Sequence, residues 1–248
     1  MKITVIGATG LIGSKVVALL TDAGHTVVAS SRRTGADVLT GDGLADALAG
    51  ADVLVDVTNS PSFEDGPVLE FFTASTTNLV TAAADAGVGH YVALSIVGAD
   101  GLPESGYMRA KVVQENIIRD SGLPYTIVRA TQFHEFAEAI TGSLSAGDEV
   151  HVPDALIQPI AADEVSAEVA RAAVAPARNG HVDVGGPEKM TFADLARAVL
   201  RANVGDRPVV VTAGATYFGT AVDDTSLVTG DGAVTAEVRF ADWLARRK

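Results

Sequence analysis

Tyr107 and Lys111 stand four residues apart in a stretch that also carries Val113, Ile117 and Ile118 and reads as a helix stopped by Gly122-Leu123-Pro124. Residues at that spacing share one helix face. Ser95 closes an apolar run, Tyr91 to Ser95, that reads as a strand. The three side chains suggest one chemistry. A tyrosine of ordinary pKa, about 10, is a poor proton donor or acceptor near neutrality. A nearby ammonium stabilises its phenolate and lowers that value, bringing the phenol into a useful acid–base range. Such a tyrosine can give its proton to a carbonyl oxygen as hydride reaches the carbon, while a serine hydroxyl polarises the oxygen. Two plainer readings stand beside this one: Tyr-x-x-x-Lys arises by chance, and a surface pair between Lys111 and Glu115 would also satisfy the lysine.

A hydride donor has to be held near those residues, and the start of the chain provides for one. The β-branched run Ile3 to Ile6 reads as a buried strand, followed by Gly7, Gly10 and Gly13 and then by Ile12, Val16, Leu19 and Leu20 at the spacing of one helix face. Strand, glycine turn and helix form the context that a dinucleotide fingerprint requires. Gly7 turns the chain off the strand, Gly10 lets the backbone approach a pyrophosphate, and Gly13 lets the helix pack against the sheet. The helix N-terminus supplies N–H groups and partial positive charge for the phosphates. The spacing GxxGxxG is one residue wider than the common GxGxxG.

The residues after the second strand, Thr26 to Ser30, bear on the choice of nucleotide. An acid there would bond a ribose 2′-hydroxyl and repel a 2′-phosphate, whereas an arginine favours the phosphate. The chain has Ser31-Arg32-Arg33 and no acid, which favours NADP(H) over NAD(H); a solvated basic pair in a loop is the alternative. Asp37 to Thr40 reads as a short third strand, and Asp42 either reaches an adenine edge or is a turn residue. A further strand over Asp52 to Asn59 puts Thr58 and Asn59 at its carboxyl end, where ligands lie in parallel sheets. A long helix from about Pro67 to Ala86, the strand ending at Ser95, the Tyr107 helix and a strand over Tyr125 to Arg129 continue the alternation. The fold class expected is therefore α/β, a doubly wound parallel sheet of Rossmann type.

Beyond Ala130 the rhythm changes to short extended and helical pieces. The expectation is one Rossmann-type domain over residues 1–248, with a small substrate lobe drawn mainly from 131–160 and 185–235. Thr191-Phe192-Ala193-Asp194 resembles a capping box, and Phe240, Trp243 and Leu244 fit a terminal amphipathic helix. Phe133, Phe136, Tyr217 and Phe218 read as core or as an apolar pocket lining. The 248 residues carry 18 Lys and Arg against 31 Asp and Glu, a net charge of −13, which argues against a nucleic-acid surface. With no cysteine there is no disulfide, thiolate chemistry or Cys-ligated zinc, and the five histidines lack metal-ligand spacing. No apolar run approaches a membrane span and no leader pattern is evident. The expectation is a soluble cytoplasmic protein acting on a small molecule, with no membrane partner, and a possible homo-oligomer.

The segments Gly7 to Gly13, Thr77 to Val80, Ala93 to Ser95, Tyr107 with Lys111, and Pro124 to Arg129 together resemble the atypical short-chain dehydrogenase/reductases, and more narrowly the NmrA-like, NAD(P)H-binding group with its quinone-reductase-like enzymes. The likeness spans essentially the whole chain and is strongest over residues 3–136. It implies that Gly7, Thr9, Gly10, Leu11 and Ile12 hold the pyrophosphate, that Ser31, Arg32 and Arg33 hold the 2′-phosphate, and that Asp42 faces the adenine. Thr58 and Asn59 would meet the adjacent ribose, Phe133 would border the nicotinamide, and Ser95, Tyr107 and Lys111 would be catalytic. Asn78 falls where related enzymes carry a helix asparagine, with little weight as a catalyst here. The implied activity is NADPH-dependent reduction of a small apolar carbonyl compound or quinone. Some members of the group lack a working tyrosine and only sense the cofactor, which makes a non-catalytic redox sensor the alternative. A nucleotide-sugar epimerase or dehydratase fits less well, because the region after the strand at Tyr125 is short for a sugar-binding lobe.

Overall fold

The computed structural model describes residues 1–203 and 207–247. In chain order, β1 (Lys2–Ile6) leads into α1 (Leu11–Asp22), β2 (Thr26–Ser30), the short α2 (Leu44–Leu48), β3 (Val53–Asp56), α3 (Asp65–Asp85), β4 (His90–Ile96), α4 (Gly106–Asp120) and β5 (Tyr125–Ala130). After them come α5 (Ala137–Ser143), β6 (Ser145–Ala146), β7 (Glu149–Val152), β8 (Leu156–Ile157), α6 (Ala162–Val174) and β9 (Gly180–Gly185). The chain closes with β10 (Met190–Thr191), α7 (Phe192–Ala202), β11 (Val209–Val211), β12 (Val234–Thr235) and α8 (Phe240–Arg246). The principal sheet has seven strands in the order β12-β9-β5-β4-β3-β1-β2, and β1 pairs in parallel with both β2 and β3. Strand order reverses beside β1, the hallmark of a doubly wound sheet.

The chain divides into two compact units. The first comprises Met1–Ser95, Gly106–Arg129 and Val165–Val182. Its inner strands β1 and β3 are buried on both faces, as a helix-covered parallel sheet requires: every residue of β3 is buried and four of the five in β1 are. Tyr91 and Phe72 are fully enclosed, each contributing roughly 1.5–3 kcal/mol of burial free energy. The α3 helix turns Val68, Phe72, Leu79 and Ala83 inward and ends where Gly87 takes a φ of +70°, a conformation glycine adopts without a Cβ penalty.

The expected strand over Asp37–Thr40 is absent, and the segment is a turn. Asp37 Oδ1 accepts the Leu39 N–H at 2.9 Å, and the Gly41 N–H donates to the Asp37 carbonyl at 2.9 Å. Gly41 and Gly43 both have positive φ. An aspartate bonding the backbone two residues ahead competes well with four residues of extended chain. The same chemistry ends β3 earlier than expected, because Asp56 Oδ1 accepts the Thr58 N–H at 3.0 Å.

The second unit comprises Ile96–Ser105, Ala130–Glu164 and Asp183–Lys248. It contains the three-stranded sheet β11-β7-β6 and the β10-β8 pair. Thr191 caps α7 by accepting the Asp194 N–H at 3.0 Å, as the sequence predicts. Carboxylates tie down the C-terminal segment: Glu164 Oε1 accepts the N–H of Val238 at 3.0 Å, and Glu188 accepts Arg239 at 2.6 Å.

Candidate functional site

The glycine turn is built as its sequence requires. A Cβ on Gly7, whose φ is +86°, would meet the Val57 carbonyl oxygen at 2.8 Å; a Cβ on Gly13 would lie 2.2 Å from the Gly7 carbonyl oxygen. Gly10 is the N-cap of α1 with φ −80°, and neither a side-chain cap nor a first-turn acid blocks the helix end. The first-turn N–H groups, which an α-helix cannot satisfy internally, therefore face outward over a turn whose Thr9, Gly10 and Leu11 are exposed. Ile12 differs: its side chain is buried, so only its backbone is available to a phosphate.

Beyond β2, Ser31 is buried while Arg32 and Arg33 are exposed at a short 3₁₀ turn. Thr34 Oγ1 accepts the Ser31 N–H at 2.8 Å and holds that turn. Arg32 Nε already lies 3.0 Å from Asp37 Oδ2, an exposed pair of the kind that contributes little. Asp42 is exposed and accepts from Thr40 Oγ1 at 2.9 Å. Asn78 donates to the carbonyls of Val38 and Leu39 at 2.9 and 3.0 Å. Its side chain supports the turn that carries Asp42.

At the carboxyl ends of β3 and β4 the first unit concentrates polar groups. Tyr107 Oη donates to Asn59 Oδ1 at 2.8 Å, and its ring lies 5.2 Å from that of Phe63 and 6.0 Å from that of Phe72. Burial raises its pKa to about 12, although the Asn59 bond opposes the shift. Lys111 is 3 % exposed; its ammonium donates to the Leu94 carbonyl at 2.8 Å and to Gln114 Oε1, 4.4 Å from the Phe72 ring centroid. Burial lowers its pKa to about 8 against the opposing pull of Asp56 and Glu115. The expected lowering of the tyrosine pKa by the lysine thus does not occur: desolvation dominates at Tyr107 and the ammonium is bonded elsewhere. Glu115 is no surface partner for Lys111 either. It is buried and grips Arg129 Nε and Nη2 at 2.8 and 2.7 Å. Ser95 is buried, and its Oγ has no hydrogen-bond partner among the described residues.

Sequence reasoning missed Asp56 and Gln114. Asp56 is 1 % exposed and its Oδ2 accepts Tyr91 Oη at 3.0 Å and Gln114 Nε2 at 2.9 Å. The available signal was a carboxylate inside an otherwise apolar strand run, Val53 to Val57, since such a residue must find donors.

Phe133 belongs to the second unit, stacked on Phe136 at 5.4 Å and 20°. His134 is buried against Phe240 and Trp243 at 5.1 and 5.4 Å, and burial lowers its pKa to about 4. Tyr217 packs on Phe192 and Phe218.

A turn in which glycine is required at positions 7 and 13, an uncapped helix N-terminus, exposed arginines after β2 and an orphaned buried hydroxyl fit a bound dinucleotide. The sequence pattern of the NAD(P)H-binding family matches residues 7–177. The chain belongs to that family. The NmrA-like, NAD(P)H-binding resemblance read in the sequence is borne out. The NAD(P)H azoreductase of Xenophilus azovorans is 29% identical over 226 residues, covering 84% of this chain and 75% of that protein. A (4-alkanoyl-5-oxo-2,5-dihydrofuran-3-yl)methyl phosphate reductase of Streptomyces griseus is 33% identical over 144 residues, covering 53% of this chain and 48% of the relative. The photosystem II assembly factor Ycf39 of Cyanophora paradoxa is 29% identical over 149 residues, covering 54% and 46%. The chain thus spans about half the length of the last two relatives. Among solved structures, the dTDP-glucose 4,6-dehydratase DesIV of Streptomyces venezuelae, with NAD and TYD bound, superposes with a TM-score of 0.78 at 21% identity, covering 99% of this chain and 95% of that one. At that identity the likeness shows the Rossmann fold. No helix among the described residues is long and apolar enough to cross a membrane.

Proposed function

We propose that this family member is an NADPH-dependent oxidoreductase acting on a small apolar carbonyl compound or quinone. One observation carries the reading: Ser95 offers a buried hydroxyl with no partner among the described residues, and the Lys111 ammonium is bonded to the carbonyl of the preceding residue, Leu94. A buried hydroxyl without a partner costs free energy unless a ligand or a water satisfies it. When bound, the nicotinamide supplies hydride.

The chain's own residues do the rest. The Ser95 hydroxyl donates to the substrate oxygen and polarises it. The Tyr107 phenol, raised to about 12, stays protonated at neutral pH and gives its proton to that oxygen when it turns from Asn59. Lys111, charged below about pH 8, is a cation available to ribose hydroxyls. Gly7, Thr9, Gly10, Leu11 and the Ile12 backbone hold the pyrophosphate, with Thr58 and Asn59 near the ribose, Asp42 near the adenine and Phe133 bordering the nicotinamide. Ser31, Arg32 and Arg33 take the 2′-phosphate. The azoreductase and reductase relatives support reduction as the reaction class. The test is oxidation of NADPH and NADH against a panel of quinones, enones and aldehydes, with turnover on NADPH expected.

A redox-sensor reading has its own support: Tyr107 and Lys111 are bonded apart from one another, so the phenol has no cationic assistance, and one relative is an assembly factor. Tight NADPH binding with no turnover on any acceptor would favour it.

A further inference from the structure

The carboxylate of Asp56 sits at the end of β3 beneath the proposed cofactor residues, and four donors converge on it. Thr58 N–H and Oγ1 donate to Oδ1 at 3.0 and 2.7 Å. Tyr91 Oη and Gln114 Nε2 donate to Oδ2 at 3.0 and 2.9 Å. An ionised carboxylate only accepts, so it admits one orientation of the Gln114 amide, the NH₂ toward Asp56. The amide oxygen is then turned the other way, where it receives the Lys111 ammonium. Asp56, Gln114 and Lys111 are all 3 % exposed or less, so water offers no substitute for these bonds. The Lys111 ammonium makes its second hydrogen bond to the Leu94 carbonyl at 2.8 Å.

We propose that Asp56 is a positioning residue for Lys111: its carboxylate fixes the Gln114 amide, and the amide oxygen holds the ammonium at the end of β4, independently of Tyr107. The inference rests on the reading of Lys111 as a site residue and adds what holds it there. The groups facing Lys111 are few. Asp56 lies on β3, the Leu94 carbonyl on β4 and the Phe72 ring on α3, while Gln114, Glu115 and Tyr107 share its own helix. Glu115 is bound to Arg129 from β5 and to Arg119, and Tyr107 is neutral. Asp56 is thus the one anion in this set without a paired cation of its own among the described residues, and it acts on Lys111 across one amide. Its charge keeps the lysine protonated to higher pH than burial alone would permit.

The experiment follows the Lys111 side chain by NMR in lysine-labelled, cofactor-free protein across pH, with Lys111→Met to assign its signal. Asp56→Asn should move the Lys111 midpoint to lower pH than in the wild type, while Tyr91→Phe, which keeps carboxylate and amide, should leave it in place. If Asp56→Asn does not fold, Gln114→Met makes the same test and should also lower the midpoint. An unchanged midpoint in either folded variant overturns the proposal. A second readout is NADPH affinity by fluorescence titration at pH 8, expected to fall about tenfold in Asp56→Asn and not at all when the change is made in a Lys111→Met background; a fall of equal size in both backgrounds also overturns it. Absence of NADPH binding by the wild type would defeat the cofactor reading, and the cofactor-free titration would still decide the role of Asp56.

Discussion

Tyr107 and Lys111 lie one helical turn apart on α4, yet their polar atoms are bonded to different partners: the phenol to Asn59 and the ammonium to the Leu94 carbonyl and Gln114. The pair is two separately anchored groups, a neutral acid and a buried cation. Their contributions to activity should therefore separate under mutation and under pH.

Tyr107→Phe keeps the ring packed against Phe63 and Phe72 and removes the proton. Reduction of aldehydes should fall by about 10²–10⁴-fold, the range for a lost general acid, with NADPH affinity unchanged. Quinone reduction should persist, because the reduced quinone anion is stable enough to be protonated by water. Steady-state kinetics on both acceptor classes check this, and equal losses on both would contradict it.

Activity should decline as pH rises through about 8, where Lys111 loses its charge, and no separate limb from Tyr107 should appear below about 12. The stability effect has the opposite sign. The folded pKa of Lys111 lies below its value of 10.5 in the unfolded chain, so between about 8 and 10.5 the unfolded state binds more protons and stability rises with pH. Lys111→Met lacks this titration, so the wild type should gain about 1–3 kcal/mol of stability relative to it between pH 7.5 and pH 10. Denaturant unfolding at the two pH values measures it.

NADPH should bind more tightly than NADH, because Ser31, Arg32 and Arg33 follow β2 with no acid among them, and the pair that Arg32 makes with Asp37 is weak at so exposed an arginine. Losing one charge-assisted contact should weaken NADPH by roughly tenfold to a hundredfold, about 1.5–3 kcal/mol, so Arg32→Ala with Arg33→Ala should weaken it by at least that much and leave NADH almost untouched. Fluorescence titrations of both cofactors decide the matter; equal wild-type affinities would remove the arginines from the site.

Two glycines of the first turn should fail in different ways. Gly10 has a negative φ, and its Cβ would approach only the Gly7 carbonyl oxygen, at 3.3 Å, so Gly10→Val should fold but lose both cofactors. At Gly13 a Cβ would stand 2.2 Å from that same oxygen, so Gly13→Ala should cost about 1–3 kcal/mol of stability through forced backbone displacement. Thermal unfolding alongside cofactor titration distinguishes the two.

The alternation of apolar strand runs with helix-spaced segments, and glycines at 7, 10 and 13, determined the doubly wound sheet and the place of its glycine turn, because both depend on local periodicity and local backbone freedom. Thr191 as a helix cap was legible for the same reason. The strand misread at Asp37–Thr40 shows the limit even of local reading, since a side-chain bond from Asp37 to the Leu39 N–H outweighs strand propensity. Tertiary structure alone decided the state of the site. The four-residue spacing put Tyr107 and Lys111 on one helix face, but which atoms each one meets depended on β3 and β4, more than a dozen residues away in sequence: Asn59 for the phenol, Leu94 for the ammonium, and Asp56, 58 residues from Gln114, to orient the amide between them. Burial by those neighbours sends the tyrosine pKa up and the lysine pKa down, the reverse of the coupling that spacing alone suggested for the tyrosine. Desolvation is a property of the packed fold, and no run of residues along one helix carries it.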